Sequence, residues 1–171
     1  MKMITALLLM AVMVFGVELK VDQKGSYIDF EATKMLFVNV DGNFSSFSGT
    51  ISVEGDTITS IDGVVDVLSI DTADAKRDDH LLSSDFFDAV KYDKIRFDSA
   101  KITDDSVVAD ITIKDITKPV TFKLEQLYVS EKSVKIKLSA VVDRTEFDID
   151  NNFMSMMIDD DITVTSLLIA K

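Results

Sequence analysis

From Val17 onward, apolar and polar residues alternate along most of the chain. Val17, Leu19 and Val21 share one side, with Glu18, Lys20 and Asp22 on the other, which is the period of a half-buried strand. Lys24-Gly25-Ser26 interrupts the pattern, and Ile28 and Phe30 resume it. Residues 33–40 are ambiguous: Lys34 to Val40 fits a short helix or a strand, and the stretch reads best as an irregular link. A turn signal follows at Asp41-Gly42-Asn43, then a Ser-rich stretch that holds Phe44 and Phe47. Ile51 and Val53 face inward from the next strand. Ile58 to Ile70 reads as one long β run, in which Gly63 marks a bulge or bend. After Tyr92 the strands return. Ile95 pairs in phase with Phe97; Val107, Ala109, Ile111 and Ile113 share a face; so do Val120, Phe122 and Leu124, then Val134, Ile136, Leu138 and Ala140. Ile162 to Ile169 is the last strand. The phase slips at Leu127 and Val129, where a bulge is expected. Pro119, the only proline, falls at a strand start, where its missing N–H costs least.

One stretch departs from this rhythm. Ala73 to Leu82 has helical spacing, with Asp71, Thr72 and Asp74 as candidate caps. The densest part, Arg77 to Phe87, holds the only His, several carboxylates and the adjacent Phe86 and Phe87. It reads either as a site that uses His80 chemically or as a short helical plug. Strand following strand without intervening helices implies antiparallel neighbours. The expected fold is all-β: an antiparallel eight-stranded barrel with a short helical insert, a two-sheet sandwich being the alternative.

Residues 1–16 change the domain picture. Lys2 is followed by a run from Met3 to Phe15 that is apolar apart from Thr5. This is shorter than the roughly 20 residues of a spanning helix and has the layout of a signal peptide, with cleavage expected after Gly16. One domain, residues 17–171, remains. Removing the leader takes away Lys2 and no acidic residue, leaving 17 basic against 30 acidic residues, net -13. Such a surface repels nucleic-acid phosphates and anionic head groups. No Cys is present, so disulfides and thiolate metal sites are excluded. The Asp runs lack the spacing and Gly of a calcium loop, and no metal or cofactor is expected. Eleven Phe against three Tyr and no Trp suit an apolar interior better than a stacking platform.

Several motifs occur together. Val40-Asp41-Gly42-Asn43-Phe44-Ser45-Ser46-Phe47-Ser48-Gly49 and Ser69-Ile70-Asp71-Thr72 precede Arg77-Asp78-Asp79-His80-Leu81-Leu82-Ser83-Ser84-Asp85-Phe86-Phe87-Asp88. Ile95-Arg96-Phe97-Asp98-Ser99, Ile111 to Val120 and Arg144-Thr145-Glu146-Phe147-Asp148-Ile149 follow. In this order they resemble the YceI-like family, exported bacterial proteins with a lipocalin-like barrel that bind polyisoprenoids and related long-chain lipids. The chain departs from the family in having no Trp, Asp93 in place of a Pro, and Asp115 and Asp148 in place of Gly.

The resemblance implies a periplasmic carrier that holds a long-chain lipid, a polyisoprenoid or fatty-acid derivative, inside the barrel. No nucleic acid and no stable membrane insertion after leader cleavage are expected; a homodimer stays open. Candidate lining residues are Phe30, Phe44, Phe47, Phe86, Phe87, Phe97, Ile113, Phe122, Leu124, Ile136 and Phe147. Leu81 and Leu82 would help seal the interior, and Met154, Met156 and Met157 would form a lip or ordinary packing. Arg77 would pair with Asp74 or Asp85, or face a polar ligand end; Arg144 would pair with Glu146 or Asp148. Two alternatives compete: a solid-core interaction module with an acidic shell, and a hydrolase in which an Asp orients His80 toward Ser83 or Ser84. The sequence around those serines has no nucleophile elbow, so no enzyme is expected. Sequencing the exported protein should give Val17 as its first residue; a retained Met1 would contradict the leader.

Overall fold

The computed structural model describes residues 16–34, 38–149 and 158–171. Residues 1–15 of the expected leader, and Met154, Met156 and Met157, lie outside the described residues. Among the described residues one helix, α1 (Ala75–Leu82), accompanies eleven strands. These are β1 (Val17–Lys20), β2 (Tyr27–Lys34), β3 (Val38–Phe44), β4 (Phe47–Glu54), β5 (Thr57–Asp66), β6 (Ile70–Asp71), β7 (Lys94–Ile102), β8 (Ser106–Ile113), β9 (Ile116–Ser130), β10 (Ser133–Asp143) and β11 (Ile158–Ala170). They form one antiparallel sheet in the order β1-β4-β5-β7-β8-β9-β10-β11-β2-β3-β6.

The sheet curls until it meets itself. β1 starts the strand order, yet Lys20 and Lys171 exchange reciprocal backbone hydrogen bonds of 3.0 Å, and Val21 bridges Ala170 beside them. β11 therefore bonds β10 along one edge, and β2 and then β1 along the other. An ion pair between Lys171 Nζ and Asp22 Oδ2 at 3.0 Å closes this seam.

All-β character and antiparallel pairing match the sequence expectation; the strand count is eleven, not eight. The stretch read as a link contributes β3, which pairs with β2 from Val38↔Lys34 to Asn43↔Asp29. Its Asp41-Gly42-Asn43 is strand, not turn. Gly42 is there because the Phe30 ring lies on it: a Cβ at that position would stand 2.3 Å from the ring. The run from Ile58 to Ile70 breaks because Asp66 accepts from the Leu68 amide and starts a 3-10 turn, Val67–Ser69, leaving β6 to pair with β3. Gly63 marks no bulge. It sits opposite Gly49, and the bulge in β5 falls at Thr59, between the Ser52↔Ser60 and Val53↔Ile58 pairs. The expected slip in β9 is present, with Leu127 extra between Gln126↔Ile136 and Tyr128↔Lys135. β10 pairs with β9 only from Lys123 onward, so Pro119 has a strand neighbour on one side alone.

Asp74 caps α1, its carboxylate accepting from the Lys76 and Arg77 amides at 3.1 and 3.2 Å. At the end of a second 3-10 turn, Arg144–Phe147, Asp148 adopts left-handed backbone (φ 56°), a conformation that Asp tolerates better than most residues with a side chain. Among the described residues every buried side-chain N or O has a partner.

Gly49 lies close against the backbone of β5: a Cβ on it would stand 2.6 Å from the Asp62 carbonyl oxygen. Gly49→Ala should cost about 1–3 kcal/mol in urea denaturation, and more than Gly63→Ala, whose Cβ meets nothing closer than 3.3 Å.

Candidate functional site

Inward side chains fill only one half of the curled sheet. At one end Ile51, Val53, Val107, Val134 and Ile136 are wholly buried, with Leu124 at 3% exposure. Toward α1 the interior is a cavity of about 490 Å³ with a predominantly apolar wall. The void follows from small residues at inward positions. Gly49 and Gly63 face each other across β4 and β5, and Ala32 and Ser166 line the wall from β2 and β11. None of them projects enough side chain to fill the interior. Ser166 is 8% exposed, and it puts a hydroxyl-bearing side chain on a predominantly apolar wall.

Nine of the eleven residues singled out from the sequence lie on this wall: Phe30, Phe44, Phe47, Phe86, Phe87, Phe97, Ile113, Phe122 and Phe147. Leu124 and Ile136 do not. They face inward as their alternation requires, but in the filled half, with Val134 and Val53. Alternation reports the face of a strand and not the height along it. The wall also holds aliphatic residues that the emphasis on Phe passed over, among them Ile28, Ile61, Ile111, Leu138 and Val164; their signal was the same alternation.

Aromatic contacts tie the helical insert to the sheet. Phe30 and Phe44 lie 5.5 Å apart, and Phe44 meets Phe87 at 6.5 Å and 82°. Phe86 packs edge-on to His80 at 4.9 Å. The two adjacent Phe thus have different partners. Leu81 also lines the cavity, whereas Leu82 does not.

Thr72 anchors α1. It is 4% exposed, and its amide and hydroxyl both donate to the Asp78 carboxylate. Its hydroxyl accepts from Arg77 Nε at 2.7 Å, and its carbonyl accepts from Arg77 Nη2. Arg77 and Asp78 therefore hold the insert through Thr72, and Arg77 pairs with neither Asp74 nor Asp85. His80 Nε2 stands 3.7 Å from Asp85. The Ser83 hydroxyl donates to the His80 carbonyl at 2.7 Å and not to the imidazole, so these groups form no nucleophile–base pair.

Arg144 is 7% exposed on the cavity wall. Its partner is Asp160 at 2.9 Å, on β11, and not Glu146 or Asp148; it also donates to the carbonyls of Asp159 and Ile149. The neighbouring Asp143 caps this turn, and the Thr145 hydroxyl and amide hold its carboxyl below the usual carboxylate range. A second depression, on the outer face, is lined by Asp29, Glu31, Asp41 and Asp71; burial raises Asp29 above its ordinary value. Its wall is about as polar as it is apolar and carries four carboxylates, so it shelters an apolar ligand less than the inner cavity does.

Residues 19–170 match the model of the YceI-like domain. The UPF0312 protein of Vibrio campbellii is 37% identical over 76 residues, 42% of this chain and 40% of that relative, so the match spans about two fifths of the relative's length. Among solved structures, BcnA of Burkholderia cenocepacia shares the fold with a TM-score of 0.80 at 22% identity, covering 88% of this chain and 99% of that one. A polyisoprenoid binding domain from Saccharophagus degradans has a TM-score of 0.72 at 15% identity, covering 90% and 97%. The Campylobacter jejuni YCEI protein has a TM-score of 0.72 at 21% identity, covering 100% and 99%.

Because Arg144 satisfies two backbone carbonyls as well as a carboxylate, Arg144→Met should cost about 3 kcal/mol. Asp160 is 65% exposed, and Asp160→Asn should cost less than about 1 kcal/mol. Chemical denaturation of the two variants checks the ordering.

Proposed function

The chain belongs to the YceI-like family, and on that footing we propose that it is an exported, periplasmic binding protein that holds the apolar chain of a long lipid in its cavity. The hollow, predominantly apolar half of the sheet carries this reading. At about 490 Å³ it falls within the roughly 300–1,000 Å³ of small-ligand pockets. Water against a predominantly apolar wall finds few hydrogen-bond partners, so an apolar chain displaces it at little cost.

Magnitudes favour a long chain. Each buried methylene contributes about 0.8 kcal/mol, whereas association costs about 4–15 kcal/mol. Roughly ten or more buried methylenes are therefore needed for useful affinity. The structural relative described as a polyisoprenoid binding domain supports an isoprenoid or fatty-acyl chain as the ligand class. A binding role, and not hydrolysis, also fits Ser83, whose hydroxyl is engaged with a backbone carbonyl. Lys2 and the apolar run from Met3 to Phe15 support export.

Ser166→Leu separates a ligand cavity from a solid core. In a cavity the new side chain gains roughly 1–2 kcal/mol of burial and takes ligand space. The variant should be at least as stable as wild type and bind a fluorescent fatty acid at least about tenfold more weakly. A solid core predicts overpacking, a loss of about 1–3 kcal/mol, with no probe bound by either form.

A further inference from the structure

Five residues on the cavity wall carry ionisable side chains: Asp62, Asp74, Arg77, His80 and Arg144. Four have their partners in place. Asp62 accepts from the Ser99 amide at 3.3 Å, and Asp74 caps α1. His80 faces Asp85, and Arg144 is bonded to Asp160 and to two carbonyls.

Arg77 differs. Its Nε and Nη2 donate only to the hydroxyl and carbonyl of Thr72, both neutral. Among the described residues no carboxylate stands within ion-pair distance of its guanidinium; the ion pairs there are made by His80, Lys94, Arg144 and Lys171. Asp78 reaches it only through the Thr72 hydroxyl. A half-buried guanidinium beside an apolar cavity is costly unless an anion meets it, and its planar fork has donors to spare beyond the two used by Thr72.

We propose that Arg77 recognises an anionic end group on the bound lipid, a carboxylate or a phosphate monoester, while the apolar chain occupies the cavity. This rests on the carrier reading and adds the head-group class to it. The acidic shell opposes an anion, since the chain carries a net charge of -12. Charges beyond about 8 Å are largely screened at physiological salt, whereas a contact pair with Arg77 is not. The direct contact therefore sets affinity, and the shell slows entry, so added salt should speed association.

The test compares palmitic acid with palmityl alcohol, and farnesyl phosphate with farnesol, each displacing an uncharged fluorescent lipid from the protein at neutral pH. The two pairs distinguish a carboxylate from a phosphate. At least one anion should bind about tenfold or more tighter than the alcohol with the same chain. Arg77→Gln should abolish that margin, read as the ratio of anion to alcohol affinity within the same variant, and Arg77→Lys should keep part of it. Equal affinity of anion and alcohol for the wild-type protein, or a margin that survives Arg77→Gln, overturns the proposal and leaves the carrier reading standing. Failure of all four ligands to bind overturns both. The wild-type comparison needs no variant, so a misfolded Arg77→Gln does not block the decision.

Discussion

The reciprocal backbone bonds between Lys20 and Lys171 are the constraint on which the rest depends. An antiparallel sheet with one apolar face must hide that face, either against a second layer or against itself. Here β11 runs on from β2 to β1, and the seam at Lys20 and Lys171 joins the β1 edge to the end of β11. With the sheet curled in this way, inward residues from β2, β4, β5 and β7–β11 surround a common interior. Their sizes decide whether it is filled.

Those sizes change along the interior. Ile51, Val53, Val107, Val134 and Ile136 pack one half completely, while Gly49, Gly63, Ala32 and Ser166 leave the other open. The packed half supplies the stability that the hollow half forgoes, because a cavity loses the contacts its lining would otherwise make. The insert then limits access to the open half. Thr72 holds α1 through Arg77 and Asp78, and Phe87 packs on Phe44, which in turn meets Phe30. This arrangement places Arg77, a cation without a direct carboxylate partner, beside apolar space.

Much of this was legible in the residues. Alternation gave the β character and the inward faces, the slip at Leu127 marked a real bulge, and Asp74 was among the expected caps. Three features were not legible, each for a physical reason. Gly42 looks like a turn residue, yet it is a seat for the Phe30 ring, a contact between strands. Leu124 and Ile136 have the period of lining residues, but period carries no information on height along the interior. Arg144 is flanked by acids in sequence and pairs instead with Asp160 on β11, a neighbour that strand pairing supplies and sequence proximity does not show. Arg77 shows the same limit: its charge was visible, and its dependence on Thr72 was set by where β6 ends against α1.

Native mass spectrometry of the protein purified without detergent from its own host tests whether the cavity holds a lipid. The account predicts a second mass, above that of the bare chain by one lipid with a long apolar chain, which organic extraction removes. A single bare mass under conditions gentle enough to retain non-covalent ligands, together with a lipid-free extract, would contradict it.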